Sequence, residues 1–247
     1  MADNQPVAIV TGGAQGIGAA TVDRLVGDGY RVAVADLRLE PAEKVAERAS
    51  ETTDGEAYGV DVGDSAAVNE MVGQVAERFG RIDLLVNNAG THVPGNVLDI
   101  TDEQYDRVMD SIIRGTFYCS RAVLPTMIEQ GKGAIVNVSS VWAWACAPGA
   151  APYCVAKAGV VAFTKSLAQE VAGNGIRVNA VGPYLVATEL HRASHSDEAR
   201  AAMAAESPMG REAEPSEIAD AIAYLASDRA SWINGDTLTL SGASLLR

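Results

Sequence analysis

The chain has 247 residues, of which 48% are hydrophobic and 21% charged, and carries a formal net charge of −13. That length and apolar content are enough for a substantial core. The excess of acid repels a polyanion and excludes non-specific nucleic-acid binding. No apolar run reaches the ~20 residues that a membrane helix needs.

The start, "MADNQPVAIV", lacks a basic stretch followed by an apolar core, so the expectation is a cytoplasmic protein without a membrane partner. Cys119, Cys146 and Cys154 are odd in number and show no CxxC spacing, which predicts small buried thiols in a reducing compartment. No linker, repeat or low-complexity tract breaks the chain, and residues 1–247 read as one domain.

The elements follow in chain order. "PVAIV" is a short β-branched run that ends in "TGGAQGIG", and "AATVDRLVGDGY" then shows helical spacing of apolar residues: strand, glycine turn, helix. "RVAVAD", "EAYGVDV", "IDLLVNNAG", "GAIVNVSS", "IRVNAVGP" and "TLTLSG" repeat the strand pattern, with helix-like segments between most of them. Such alternation predicts an α/β fold, a Rossmann-type doubly wound parallel sheet of about seven strands with helices on both faces.

In the first turn Gly12, Gly16 and Gly18, with Gly13 extra, allow a sharp bend, close approach of a pyrophosphate and tight packing of the helix on its strand. The helix N-terminus adds N–H groups and the positive end of its dipole. Asp36 closes the second strand 18 residues after Gly18, near the ~20 expected for a carboxylate that binds ribose hydroxyls. That acid would repel a 2′-phosphate, which favours NAD over NADP, although Arg38 stands two residues on and Gln15 in the turn supplies no cation.

Tyr153 and Lys157, four residues apart, share one face of a predicted helix. A tyrosine with an ordinary pKa of about 10 is a poor base at neutral pH, and a cation one helical turn away would stabilise its phenolate. Taken alone, the pair is also compatible with an ordinary helix surface contact.

The ordered set "TGGAQGIG", Asp36, "DV" at Asp61–Val62, "NNAG" at Asn87 to Gly90, Ser140 in "NVSS" and Tyr153-x3-Lys157 resembles the short-chain dehydrogenase/reductase family. The resemblance spans essentially the whole chain and is to the short alcohol-dehydrogenase-like branch. It implies hydride transfer between a nicotinamide and a secondary alcohol or ketone. Tyr153 would act as general acid and base, Ser140 would hold the substrate oxygen, and Lys157 would also hold the nicotinamide ribose. By the same resemblance Ile17 belongs to the pyrophosphate turn, Asp61 and Val62 lie near the adenine, and Asn88, Ala89 and Gly90 lie along the ribose and nicotinamide. Pro183, Val186 and Thr188 belong to the segment that holds the carboxamide. A homotetramer is also implied.

The chain departs from the family's pattern where an asparagine usually stands three residues before the glycine of "VMDSIIRGTF"; counting back from Gly115 gives Ile112. Ser111 is polar but one position off, and a helical step of about 100° would point it elsewhere. An isoleucine side chain cannot hold the relay water ascribed to that asparagine, so an impaired or rerouted relay is expected; alternatively Ile112 packs a helix. Tyr184 replaces the usual glycine after the sixth strand and suggests a reshaped pocket.

The substrate pocket is expected among His92, Trp142, Trp144 and Tyr184, whose rings suit a hydrophobic, aromatic or cyclic substrate; Trp144 fits equally a role in packing its loop. Residues 188–212, rich in small and polar side chains, match a substrate lid. His191 and His195 have HxxxH spacing, but Arg192 stands where an HExxH glutamate would be, and no metal site is expected. Two further readings remain: a cofactor-binding protein with little catalysis, motivated by Ile112, and an oxidoreductase acting on an imine or a biosynthetic intermediate, motivated by Tyr184 and the tryptophans.

Overall fold

The computed structural model describes residues 5–194 and 196–244. Among them seven strands form one parallel sheet: β1 (Val7–Thr11), β2 (Arg31–Asp36), β3 (Gly55–Gly59), β4 (Leu84–Asn87), β5 (Gly133–Val138), β6 (Ile176–Pro183) and β7 (Thr237–Leu240). Their spatial order is β3-β2-β1-β4-β5-β6-β7. Val10 pairs with Val34 on one side and Val86 on the other, so β1 lies inside the sheet, next to the central strand β4. The strand order reverses between β1 and β4, and a crevice opens there at the carboxyl ends.

The helices are α1 (Gly16–Gly27), α2 (Leu39–Ser50), α3 (Ser65–Phe79), α4 (Asp102–Met109), α5 (Gly115–Gln130), α6 (Ala151–Val171), α7 (Glu189–Ser194), α8 (Asp197–Glu206) and α9 (Pro215–Ala226). None is long and apolar enough to cross a membrane. The two-residue period of a strand divides the core. Ala8 and Val10 pack with Val22, Leu25, Ile218 and Ile222 from α1 and α9, whereas Val7 and Ile9 pack with Val75, Val123 and Leu167 from α3, α5 and α6. Every residue of β1, β2, β4 and β5 is buried, which accounts for their unbroken apolar runs. Each fully buried Leu, Ile or Val contributes about 1.5–3 kcal/mol.

Two local features place the site. Between α4 and α5, Asp110–Arg114 forms a π-helical turn in which Gly115 N–H donates to Asp110 O, five residues back. Gly115 permits it: a Cβ there would lie 2.6 Å from Val62 Cγ2. The second feature is a buried polar chain. Asn87 Nδ2 donates to Asn137 Oδ1 at 2.8 Å and Ser120 Oγ at 3.1 Å; Asn137 Nδ2 donates to Thr164 Oγ1 at 2.9 Å. β4 and β5 are thereby tied to α5 and α6 within the core.

Candidate functional site

The glycine turn is built on forced geometry. Gly12 and Gly16 have φ of +61° and +53°, and a Cβ on Gly18 would lie 2.0 Å from Gly12 O. Asn88 fastens the turn to the end of β4, with Nδ2 donating to Thr11 O at 3.1 Å and Gly12 O at 3.0 Å. Asp36, 9% exposed at the end of β2, accepts from Ala14 N–H at 3.2 Å and Arg38 N–H at 3.0 Å. The Arg38 guanidinium reaches back to Gln15 Oε1 at 2.8 Å and lies 3.7 Å from Asp36 Oδ1, so two neighbours already engage its charge.

On the far side, Ser139 and Ser140 follow the end of β5, and α6 presents Tyr153 and Lys157. The helix starts readily because Pro152 sits in its first turn, where the missing N–H costs nothing. Ser139 Oγ donates to Lys157 O at 2.9 Å and joins helix to strand. Ser140 Oγ accepts from Trp142 N–H at 3.2 Å and lies 3.5 Å from Pro183 O.

Burial pushes the Tyr153 phenol up to about 12, while its hydrogen bond with Ser140 pulls the other way. Burial also draws Lys157 down to about 8. Its Nζ donates to Val138 O at 2.7 Å and stands 5.5 Å from the Tyr153 ring centroid. Lys157 is thus near the tyrosine, as the spacing predicts, but the group that favours the phenolate here is Ser140.

The cleft has a volume of about 910 Å³. Every residue predicted to contact cofactor or substrate lines it except Gly18, which is buried beneath the turn, and Trp144. Trp144 packs on β6, where its Cη2 would lie 2.8 Å from a Cβ on Gly182, so packing the loop is its observed role. His92, Trp142 and Tyr153 form an aromatic cluster with edge contacts and centroids 5.2–5.9 Å apart.

The structure corrects the expected direction of Ser111. It lines the cleft, because the π turn inserts an extra residue and rotates the helix phase. Ile112, 1% exposed, packs among Val108, Ala156 and Val160, and its Cγ1 would lie 2.9 Å from a Cβ on Gly90, beside Lys157 Nζ. A second correction concerns the thiols: Cys119 and Cys154 are buried, but Cys146 is exposed.

Residues 188–212 include α7 and α8. Glu212 accepts from Arg200 Nε at 3.2 Å and Nη2 at 3.0 Å and meets His191 Nε2 at 3.1 Å. These side chains are mostly shielded, and Arg200 holds the Glu212 carboxyl below the usual range. A parallel bridge between Val186 and Ala213 closes the base of the segment. The His195 half of the HxxxH spacing lies outside the described residues. Leu190 and Met203 also line the cleft, and no motif in the sequence singled them out.

These residues fit a dinucleotide. The open glycine turn sits at a helix N-terminus, a shielded carboxylate stands at the adenosine end, and Ser140 and Tyr153 stand at the other.

Residues 12–242 match a family model described as enoyl-(acyl carrier protein) reductase. The chain is 40% identical to meso-2,3-butanediol dehydrogenase of Serratia marcescens over 98% of its own length and 95% of that protein. It is 38% identical to 3-oxoacyl-(acyl-carrier-protein) reductase FabG of Staphylococcus aureus, over 95% of this chain and 96% of that one. Among solved structures, levodione reductase superposes with a TM-score of 0.91 at 32% identity, covering 96% of each chain. A 3-ketoacyl-(acyl-carrier-protein) reductase from Brucella melitensis, complexed with NADH, gives the same TM-score and identity over 98% of each.

Proposed function

Starting from a chain that belongs to the short-chain dehydrogenase/reductase family and is an oxidoreductase, we propose that it interconverts a secondary alcohol and its ketone with NAD(H). The observation that carries this reading is the convergence of Ser140 and Tyr153 at one end of a cleft whose other end holds Asp36. Gly12, Gln15, Gly16 and Ile17 would hold the pyrophosphate; Asp36, the adenosine ribose; Asn88, Gly90 and Lys157, the nicotinamide ribose. When bound, the nicotinamide supplies a hydride acceptor or donor.

Ser140 positions the substrate oxygen by hydrogen bonding. In the oxidative direction Tyr153 takes the alcohol proton at Oη; in reduction it returns that proton to the developing alkoxide. Shielding by the aromatic cluster keeps water from the carbinol carbon and favours a compact hydrophobic or cyclic substrate. The Serratia relative is named for a small acyclic diol, which agrees with such a pocket in compactness alone.

The preference for NAD rests on Asp36, since Arg38 is already engaged by Asp36 and Gln15. We further propose a cytoplasmic homotetramer, for which the exposed Phe117, Val155 and Trp232 offer apolar surface; sedimentation checks the assembly. Ile112 supports a second reading, a cofactor-binding protein with little turnover, and Tyr184 a third, in which an imine or biosynthetic intermediate replaces the ketone.

Nicotinamide absorbance during incubation with NAD or NADP and a panel of aliphatic, aromatic and cyclic alcohols and diols tests these readings. The expected result is NAD-dependent turnover that falls roughly 10²–10⁴-fold in Tyr153→Phe, with NADH binding retained. Binding without turnover across the panel would favour the second reading. Asp36→Ala should reduce discrimination against NADP by about 10–100-fold, the worth of hydrogen bonds to a charged group.

A further inference from the structure

Beside the cleft lies a second cavity of about 180 Å³. Tyr184 and Leu185, directly after β6, line both cavities and so form the partition between them. Leu185 is 7% exposed, whereas Tyr184 is half-buried. Met209, Ala213, Ile218 and Leu240 give the side cavity an apolar lining. Arg211 and Glu217 also line it, but they satisfy each other through two contacts of 2.7 Å, which favours an uncharged occupant.

The backbone of the partition is pinned on both sides. Tyr184 N–H donates to Leu240 O at 3.0 Å, and Ala213 N–H donates to Leu185 O at 2.8 Å. Neither bond uses the Tyr184 ring, so the ring can be exchanged while the path of the chain is kept. The glycine that the resemblance leads one to expect at this position would place no side chain in the partition at all.

We propose that Tyr184 is a specificity-determining residue: its side chain closes the cleft off from the apolar side cavity and limits the length of the alkyl or aryl group that a secondary alcohol can carry on that side. The inference rests on the alcohol and ketone reading of the cleft and narrows its substrate class to alcohols with one short substituent. The side cavity, at about 180 Å³, exceeds the roughly 150 Å³ at which an apolar cavity takes up benzene, so a group of about six carbons fills it. Once the ring is removed, each methylene that enters leaves water, and the gain ends when the cavity is full.

The test measures kcat/KM with NAD for the straight-chain 2-alkanols from butanol to nonanol, in the wild type and in variants. Relative to wild type, Tyr184→Ala should gain about threefold for each added carbon, or roughly thirtyfold or more from butanol to octanol, and then level off. Tyr184→Phe keeps the ring and should keep the wild-type dependence on chain length. Ala213 lines the side cavity and not the cleft, so adding Ala213→Leu to Tyr184→Ala should cancel the gain. Parallel profiles in wild type and Tyr184→Ala would overturn the proposal, as would a gain that survives Ala213→Leu. Should Tyr184→Ala not fold, Tyr184→Leu should show the same rise over fewer carbons, and a flat profile there counts equally against it. If the wild type oxidises none of these alcohols, calorimetric titration of the series into the NADH-loaded proteins reads the same difference as affinity. A gain in affinity without turnover would keep the partition and remove the dehydrogenase reading; no gain would remove the partition.

Discussion

At the β1–α1 turn, the cleft depends on space that side chains must leave empty: a Cβ on Gly18 would meet the Gly12 carbonyl at 2.0 Å. Across the cleft, Ser140, Tyr153, Lys157 and residues 188–212 depend on what their side chains reach, including Glu212 held by Arg200 and His191. The first wall is fixed by backbone over a few residues and tolerates almost no added atom. The second is assembled from distant elements and can be altered one contact at a time. Damage to the first wall should therefore weaken folding and cofactor binding together, whereas damage to the second should separate them.

The sharpest way to break this contrast is Gly18→Ala. With a backbone oxygen in the way, the expected destabilisation is about 3 kcal/mol or more, or roughly 6–12 °C in Tm, with NADH binding lost. Thermal unfolding and NADH fluorescence titration check it; a variant that still binds NADH tightly would show the turn to be softer than its geometry implies.

Lys157→Met comes next. Because Lys157 is held at about 8 against an ordinary 10.5, the unfolded chain binds its proton more tightly between those values. Stability therefore rises with pH from about 8 to about 10.5 on this account, by on the order of 3 kcal/mol at most. Tyr153, raised to about 12 from 10.0, acts in the opposite sense above pH 10, where the folded state holds the proton that the unfolded state releases. The variant should lose turnover, keep its stability at pH 7 and lack the rise from pH 8 to 10, as urea denaturation across that range would record. An unchanged pH slope would remove Lys157 from the account.

Glu212→Gln is the mildest of these changes. Its partners are neither fully buried nor free in solvent, so the expected loss is about 1–3 kcal/mol, between the values for surface and buried pairs. The Glu212 carboxyl lies below the ordinary range, so this contribution is present at neutral pH and lost as pH falls through its folded value. KM should rise while NADH affinity holds, and steady-state kinetics beside NADH titration separate the two. An equal loss in both would mean that residues 188–212 also support the cofactor end.

Much of the first wall was legible in the sequence, because β-branched runs and glycines at fixed offsets encode local backbone geometry directly. The sheet and the placement of Asp36 followed from those signals. The second wall was legible only in part. A regular 100° step turns Ser111 away from the cleft, and the π turn at Asp110–Arg114 changes that phase without any residue type announcing it. Trp142 and Trp144 are two positions apart, yet one meets Tyr153 and the other packs on β6. Cys146 was expected to be buried because thiols usually are, but a strained turn exposes it. The Glu212 contacts pair residues 12 and 21 positions apart, and no short motif encodes them.

The buried amide chain through Asn87, Asn137 and Thr164 bears on how such a molecule can change. Each link has a donor end and an acceptor end, so α6 is indexed to the sheet at one setting, and sliding it by a turn would strand buried polar atoms. The alignment that the proposed role of Tyr153 requires is therefore stored in the core, and the shape of the cleft in the loops above it. The two can be inherited separately: the loops can be rewritten for a new substrate while Tyr153 stays aimed.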